Sequence, residues 1–258
     1  MARPLLDPPC KNWDRDLPGP NELPGKLEVM GEPPNHVDEV YLELPRSESL
    51  WRGVNVWLGG AMLIVGIYTI TLLIGMNDLL FSLWGITIFG VALVYLAITM
   101  GAGTIRLDIN SPLDQPIRFN RLRRKVYVYR FHYNWGRPFN NKLWYVKPEV
   151  YDWDDLRAEA FRLYVPTMAY NTGVHITVVK PGTNQVIDRF PLALDAYDGA
   201  NYWAMARAFM QQGPDVLPRY DRPPRDWNNE DPELNLARRF APKVKWPEAM
   251  DIESRTAP

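Results

Sequence analysis

The sequence predicts an α+β membrane protein in which a two-helix transmembrane hairpin is followed by an antiparallel-sheet domain closed by a C-terminal helix. Three observations predict it. Two charge-free runs, broken by the single Asp78, stand between Gly53 and Ile105. Short segments rich in aromatic and β-branched residues follow, parted by turn residues. Apolar residues then recur at helical spacing up to a stop at Gly213-Pro214. The implied organisation is a Pro-rich arm over residues 1–50, a hairpin over 51–105, a sheet domain over 106–213 and a Pro-rich extension over 214–258.

The arm contains Pro8-Pro9, Leu17-Pro18-Gly19-Pro20 and Pro33-Pro34. Proline fixes φ and supplies no backbone donor, so the arm reads as extended or irregular. Val40, Leu42 and Leu44 alternate with polar neighbours, which marks one strand able to complete a sheet built later in the chain. The first thirty residues hold no apolar core segment, so no cleavable signal peptide is expected.

Each charge-free run exceeds the roughly 20 residues a helix needs to cross about 30 Å of hydrocarbon. The link Gly75-Met76-Asn77-Asp78 is too short for anything but an antiparallel pair. Arg46 and Arg52 precede the first run and Arg106, Arg118 and Arg121 follow the second, while the link has no Lys or Arg, so both termini are expected in the cytoplasm. Trp51, Trp57 and Trp84 suit interfacial anchors, and Gly59, Gly60, Gly66, Gly85, Gly90, Gly101 and Gly103, with Ala61, Ala92 and Ala97 between them, suit close helix contact. No charge inside either helix offers an ion relay.

Beyond Pro116, Ile117–Arg121 and Lys125–Phe131 flank the turn Leu122-Arg123-Arg124, and Lys142–Val146 follows a Gly/Pro/Asn loop, which makes a meander. Val174–Val179 and Gln185–Phe190 flank Lys180-Pro181-Gly182-Thr183-Asn184, a hairpin. Ala200, Trp203, Ala206 and Met210 give the last helix one apolar face that can cover a sheet. A bent antiparallel sheet closed by one helix is the arrangement of pleckstrin-homology-like domains, and the order of elements looks like it. The extension carries Tyr220, Trp227, Phe240 and Trp246 among its prolines, too many rings for a solvated tail, and is expected to wrap along the domain or a partner.

The net charge of −1 gives no basic excess for nucleic acid. The single Cys10 has no disulfide or metal companion. No glycine-rich phosphate loop, paired-cysteine motif or HExxH is present, so no catalytic residue, metal or cofactor is expected. Asp152, Asp154 and Asp155, with Glu149 and Glu159, could bind a cation through oxygen; the simpler reading is a helix start with Asp152 as N-cap. His132 and His175 read as sheet positions with one satisfied ring nitrogen.

Two sets of residues are candidate binding sites. Arg121, Arg123, Arg124 and Lys125 follow closely on the second apolar run, where each could gain about 1 kcal/mol beside anionic lipid headgroups, contact a protein partner, or act as topology signals alone. Trp135, Trp144, Tyr145, Trp227 and Trp246 exceed what a sheet of this size needs for its core and are candidate partner-binding aromatics.

Together with the tight helix pair, Pro116-Ile-Arg-Phe-Asn-Arg-Leu-Arg-Arg-Lys-Val-Tyr127, Tyr151-Asp-Trp-Asp-Asp-Leu156, Val186-Ile-Asp-Arg-Phe-Pro-Leu192, Trp203 and Met210-Gln-Gln-Gly-Pro214 resemble an uncharacterised bacterial inner-membrane family found beside type VI secretion effector genes. The resemblance runs over residues 50–218 and carries no catalytic residues. It implies an inner-membrane location and an immunity or accessory role with an effector or toxin as protein partner. The expected function is therefore a membrane-tethered binding protein in contact with lipid and a protein, with self-association left open. The alternatives are a structural or regulatory subunit of a membrane assembly, an anionic-lipid-binding module and, least favoured, an enzyme.

Overall fold

The computed structural model describes residues 3–25, 27–29, 31–46, 52–75, 84–164, 171–230 and 235–258. Its strands are β1 (Trp13–Asp16), β2 (His36–Val37), β3 (Tyr41–Leu44), β4 (Ile117–Asn120), β5 (Lys125–His132), β6 (Tyr145–Asp152), β7 (Leu156–Leu163), β8 (Asn171–Val179) and β9 (Val186–Ala193). Its helices are α1 (Val54–Gly75), α2 (Trp84–Asn110), α3 (Ala196–Gln212), α4 (Leu236–Phe240) and α5 (Glu248–Arg255). The strands form two antiparallel sheets in the orders β2-β3-β4-β5-β6 and β1-β7-β8-β9.

Alternation sets the register of both sheets. Leu42 and Leu44 of β3 lie opposite Phe119 and Ile117 of β4, which in turn face Val126 and Val128 of β5. In the second sheet Leu156, Ala158 and Ala160 of β7 oppose Val178, Ile176 and Val174 of β8. These inward rows meet α3 in one core. The chain changes sheet at the 3-10 turn Trp153–Asp155, and buried Trp153 packs 5.9 Å from Phe119 and 5.1 Å from Trp203 of α3. Asp195 caps α3 by accepting from the amides of Tyr197 and Asp198, and Gly213, at φ +91°, ends it. A Cβ at Gly199 would lie 2.7 Å from Val174, so α3 sits on β8 at the distance only glycine permits.

The strand delivered before the apolar helices does complete the later sheet: β3 pairs with β4, so α1 and α2 occupy the connection between two adjacent strands. Both helices are long and apolar enough to cross a membrane, and their side chains, among them Trp57, Ile64, Phe89 and Tyr95, are largely exposed. Gly59 lies against Gly101, Gly66 against Ala97, and Leu73 against Gly90, which makes the pair antiparallel. The expected link Gly75-Met76-Asn77-Asp78 falls mostly in residues 76–83, outside the described residues, as does Trp51.

The Pro-rich arm is more ordered than its composition suggested. β1 adds to the edge of the second sheet, and β2 to the edge of the first. Between them the arm straps α3, where its carbonyls accept from side chains: Pro18 from Trp203 Nε1 at 2.8 Å, Glu22 from Gln211 Nε2 at 2.9 Å and from Arg207 at 3.0 Å. Cys10, ahead of β1, is buried, its amide donating to Glu159 of β7, and burial pushes its thiol up to about 11.

The helix start expected at Asp152 is corrected. Asp152 makes no side-chain cap, the turn lasts three residues, and Leu156–Leu163 continue as β7. Pairing with β8 overrides the helical propensity of Leu156-Arg157-Ala158-Glu159-Ala160. Glu159, fully buried on that strand, is satisfied by Thr177 at 2.8 Å, Arg189 at 2.9 Å and the Cys10 amide at 3.0 Å. His132 and His175 lie on strands as expected, but each keeps one buried ring nitrogen without a hydrogen bond, and burial lowers both from the usual histidine range.

Candidate functional site

Arg46 stands where β3 turns towards α1. Its side chain is buried and donates to the carbonyls of Gln115 at 3.0 Å, Tyr129 at 2.9 Å and Pro191 at 2.9 Å. It therefore ties the root of the apolar helices to both sheets at once. Below it, Asp108 of α2 accepts from the Gly53 and Val56 amides at 2.8 and 3.2 Å and from Asn55 at 3.0 Å. One helix thus caps the exposed amides at the start of the other.

Asp114, in the linker from α2 to β4, accepts from the Arg46 amide, the Gln115 amide and Asn35 Nδ2, each at 2.8 Å. It borders a cleft of about 480 Å³ between β3–β4 and the C-terminal segment. The floor is Arg118 of β4, paired with Glu43, with Asp251 at 2.7 Å and with Ser254 Oγ at 2.8 Å. Its guanidinium lies 4.5 Å from the Trp246 ring. Opposite, Arg225 stacks on Trp227 at 4.2 Å. Two indole N–H groups of this cleft, Trp227 Nε1 and Trp246 Nε1, and the Asn35 Oδ1 acceptor are shielded from solvent without a partner among the described residues. A buried donor left unpaired costs about 1–3 kcal/mol, so these groups weigh against the fold where they stand. The cleft gathers stacked guanidinium groups and paired acids.

Burial pushes the Asp114 carboxyl up to about 6 against the three donors that pull it down. A carboxyl raised in the folded state binds its proton more tightly there than in the unfolded chain. Its contribution to stability is therefore present at low pH and lost as pH rises from about 4 to about 6. Asp114→Asn is expected to remove that loss. Unfolding free energies of the two proteins, compared across this pH range, should diverge by about 2 kcal/mol, and parallel curves would refute the assignment.

The two predicted residue sets are distributed differently from the expectation. Arg121, Arg123, Arg124 and Lys125 occupy the β4–β5 turn, at the end of those strands remote from the helices, because β4 runs away from α2. Each is engaged: Arg121 with Glu39 at 3.4 Å, Arg124 with Asp154 at 2.6 Å, Lys125 with Glu253 at 3.0 Å, and Arg123 with the Thr256 carbonyl at 3.0 Å. Nearness in sequence is not nearness in space: the turn stands a strand's length from the helix roots, with its charges engaged inside the domain. The structure brings Trp227 and Trp246 together in the cleft, both buried. Trp144 is also buried, 4.8 Å beneath the Arg106 guanidinium, and Trp135 packs against Gly103 of α2. Tyr145, half exposed on β6, stacks on His132.

Sequence reasoning missed Arg46, Glu43, Asp114 and Arg118 as a connected group. Arg118 alternates with Ile117 and Phe119 and so reads as solvent-facing, yet all four residues of β4 are buried because α5 covers the outer face. Among the described residues no cluster of acids, histidines and cysteines could hold a metal.

Residues 91–258 match the model of a family of unknown function (DUF6708), and the chain belongs to that family. The match begins within α2 and includes β4 and the C-terminal segment that border the cleft, while Asn35 and Glu43 of the same cleft precede it. No curated protein and no solved structure matches the chain.

Proposed function

We propose that this DUF6708 member is a membrane-anchored binding protein. In this reading α1 and α2 span a bacterial inner membrane with both ends of the chain in the cytoplasm, and the cleft beneath the C-terminal segment receives a protein ligand. The observation that carries it is the cleft of about 480 Å³ in which Trp246 lies against the Arg118 guanidinium and Trp227 against that of Arg225. Supporting the spanning role are the two apolar runs with exposed side chains, and supporting the orientation are the basic residues at their roots. The domain reading is pleckstrin-homology-like, since β3–β9 divide between two sheets and are followed by α3, with the apolar helices lodged in the first connection.

The partner proposed is a type VI secretion effector, with the chain as its immunity or accessory factor, a reading supported by the motifs of residues 50–218. In the test, full-length protein in nanodiscs is titrated with the effector encoded beside its gene. Trp227→Phe and Trp246→Phe leave one aromatic ring where the larger indole met a guanidinium, so each should weaken binding about tenfold. Binding unaffected by both substitutions would remove the cleft from the interface, and no binding at all would refute the partner.

A further inference from the structure

The face of the domain beside the helices has a different chemistry from the rest. Two segments reach it. In the loop 133–144, Trp135 packs against Gly103, Arg106 donates to the Pro138 carbonyl, and Arg106 stacks on Trp144. In the other, α4 packs on α2, Asn235 donates to the Arg52 carbonyl at 2.9 Å, and the Leu113 amide donates to Pro242 at 3.3 Å. Each segment carries large apolar side chains pointing away from the core: Phe139 is 69 % exposed, Phe240 61 % and Leu236 51 %. Gly103 lies seven residues before Asn110, so Trp135 stands about 10 Å up the helix from its end, level with the charge-free run rather than below it.

Charge sorts the same way. Residues 133–147 and 235–246 contain no Asp or Glu. Exposed Arg137, Lys142 and Arg239 form no ion pair among the described residues, whereas the distal Arg124 and Lys125 are matched to acids. Aromatic rings interleaved with unmatched cations, continuous with two apolar helices, are the composition that settles at the boundary of headgroups and acyl chains.

We infer that loop 133–144 and α4 form a two-pronged foot seated in the anionic face of the bilayer, with Trp135, Phe139, Leu236 and Phe240 at the acyl boundary and Arg137, Lys142 and Arg239 among the headgroups. The foot holds the domain at a fixed height and tilt, so that the cleft presents one orientation to its ligand. This inference rests on α1 and α2 spanning the membrane, and the test separates the two.

Full-length protein carrying Cys10→Ser is spin-labelled at single cysteines and placed in nanodiscs of phosphatidylcholine, with or without an equal part of phosphatidylglycerol. The label positions are Phe139→Cys and Phe240→Cys in the foot, Phe89→Cys on α2 and Leu122→Cys in the distal turn. Collision with oxygen reports lipid, and collision with a nickel chelate reports water. The foot labels should follow Phe89→Cys, with an oxygen-to-nickel ratio several-fold above that at Leu122→Cys. In the anionic discs the triple variant Arg137→Glu, Lys142→Glu, Arg239→Glu should bring that ratio down towards the Leu122→Cys value. Water-like foot labels beside a lipid-like Phe89→Cys would overturn the foot alone and leave its surface to a protein partner. A water-like Phe89→Cys would overturn the spanning reading and the foot with it. A triple variant without effect would overturn the headgroup contacts.

Discussion

Arg46→Met is expected to lower the stability of the sheet domain by about 4 kcal/mol, a large share of the 5–15 kcal/mol that holds a typical domain folded. The side chain is 5 % exposed and joins carbonyls from three places: the α2–β4 linker, β5 and β9. Methionine fills much of the same volume but donates nothing, so the Gln115, Tyr129 and Pro191 oxygens would be left buried without this donor. A loss of packing alone would cost far less, since the replacement is apolar and flexible. Lys125→Met serves as the comparison, because its ion pair with Glu253 is more than a third exposed on both sides and such pairs contribute at most about 1 kcal/mol. Denaturant melts of both variants in nanodiscs, read by near-ultraviolet dichroism, provide the measurement. Equal midpoints would mean that Arg46 is not the clamp between the sheets.

What the sequence disclosed and what it concealed divide by range. The apolar runs, the β8–β9 hairpin with its turn at 180–184 and the amphipathic face of α3 are all local patterns, and each lies where its pattern placed it. β3 was legible because three apolar residues alternate cleanly. β1 was not, since Trp13-Asp14-Arg15-Asp16 shows no apolar alternation and becomes a strand only when β7 supplies the partner carbonyls and amides. β7 was obscured for the opposite reason: its residues favour helix, and only the distant β8 decides otherwise. The cleft was hidden because Arg118, Asp114, Trp227 and Trp246 are separated by up to about 130 positions and are gathered by the last forty residues folding back over β4. The surplus of rings was legible in the sequence, but which of the five aromatics share a site depends on tertiary contacts that no window of sequence contains.

Gly59→Ala is expected to do more damage than its size suggests, and Gly60→Ala, one position away on the same helix, almost none. A Cβ at position 59 would lie 2.6 Å from the Gly101 carbonyl oxygen, and one at Gly101 would lie 2.8 Å from the Gly59 carbonyl. Both obstructions are backbone, so no rotamer change relieves them and the helices must separate. At Gly90 the nearest atom belongs instead to the flexible Leu73 side chain, and at Gly60 nothing lies within 4 Å. In the proposed membrane placement, close contact of this kind is the main attraction between the helices, because neighbouring lipid tails are as apolar as the side chains. Overpacking costs about 1–3 kcal/mol, more than the roughly 1 kcal/mol that alanine gains over glycine in a helix. The displacement should not stop there. Gly101 is two turns from Asp108, which caps the start of α1, and α1 and α2 emerge from adjacent strands. Spreading the roots of the helices therefore strains the β3–β4 pairing, in which Leu44 faces Ile117. Amide hydrogen exchange in nanodiscs should show faster exchange in β3 and β4 for Gly59→Ala, with β8 and β9 unchanged and Gly60→Ala matching the parent throughout. Protection of β3 and β4 retained in Gly59→Ala would mean that the helices and the sheet are mechanically independent, and that the insertion between two paired strands transmits nothing.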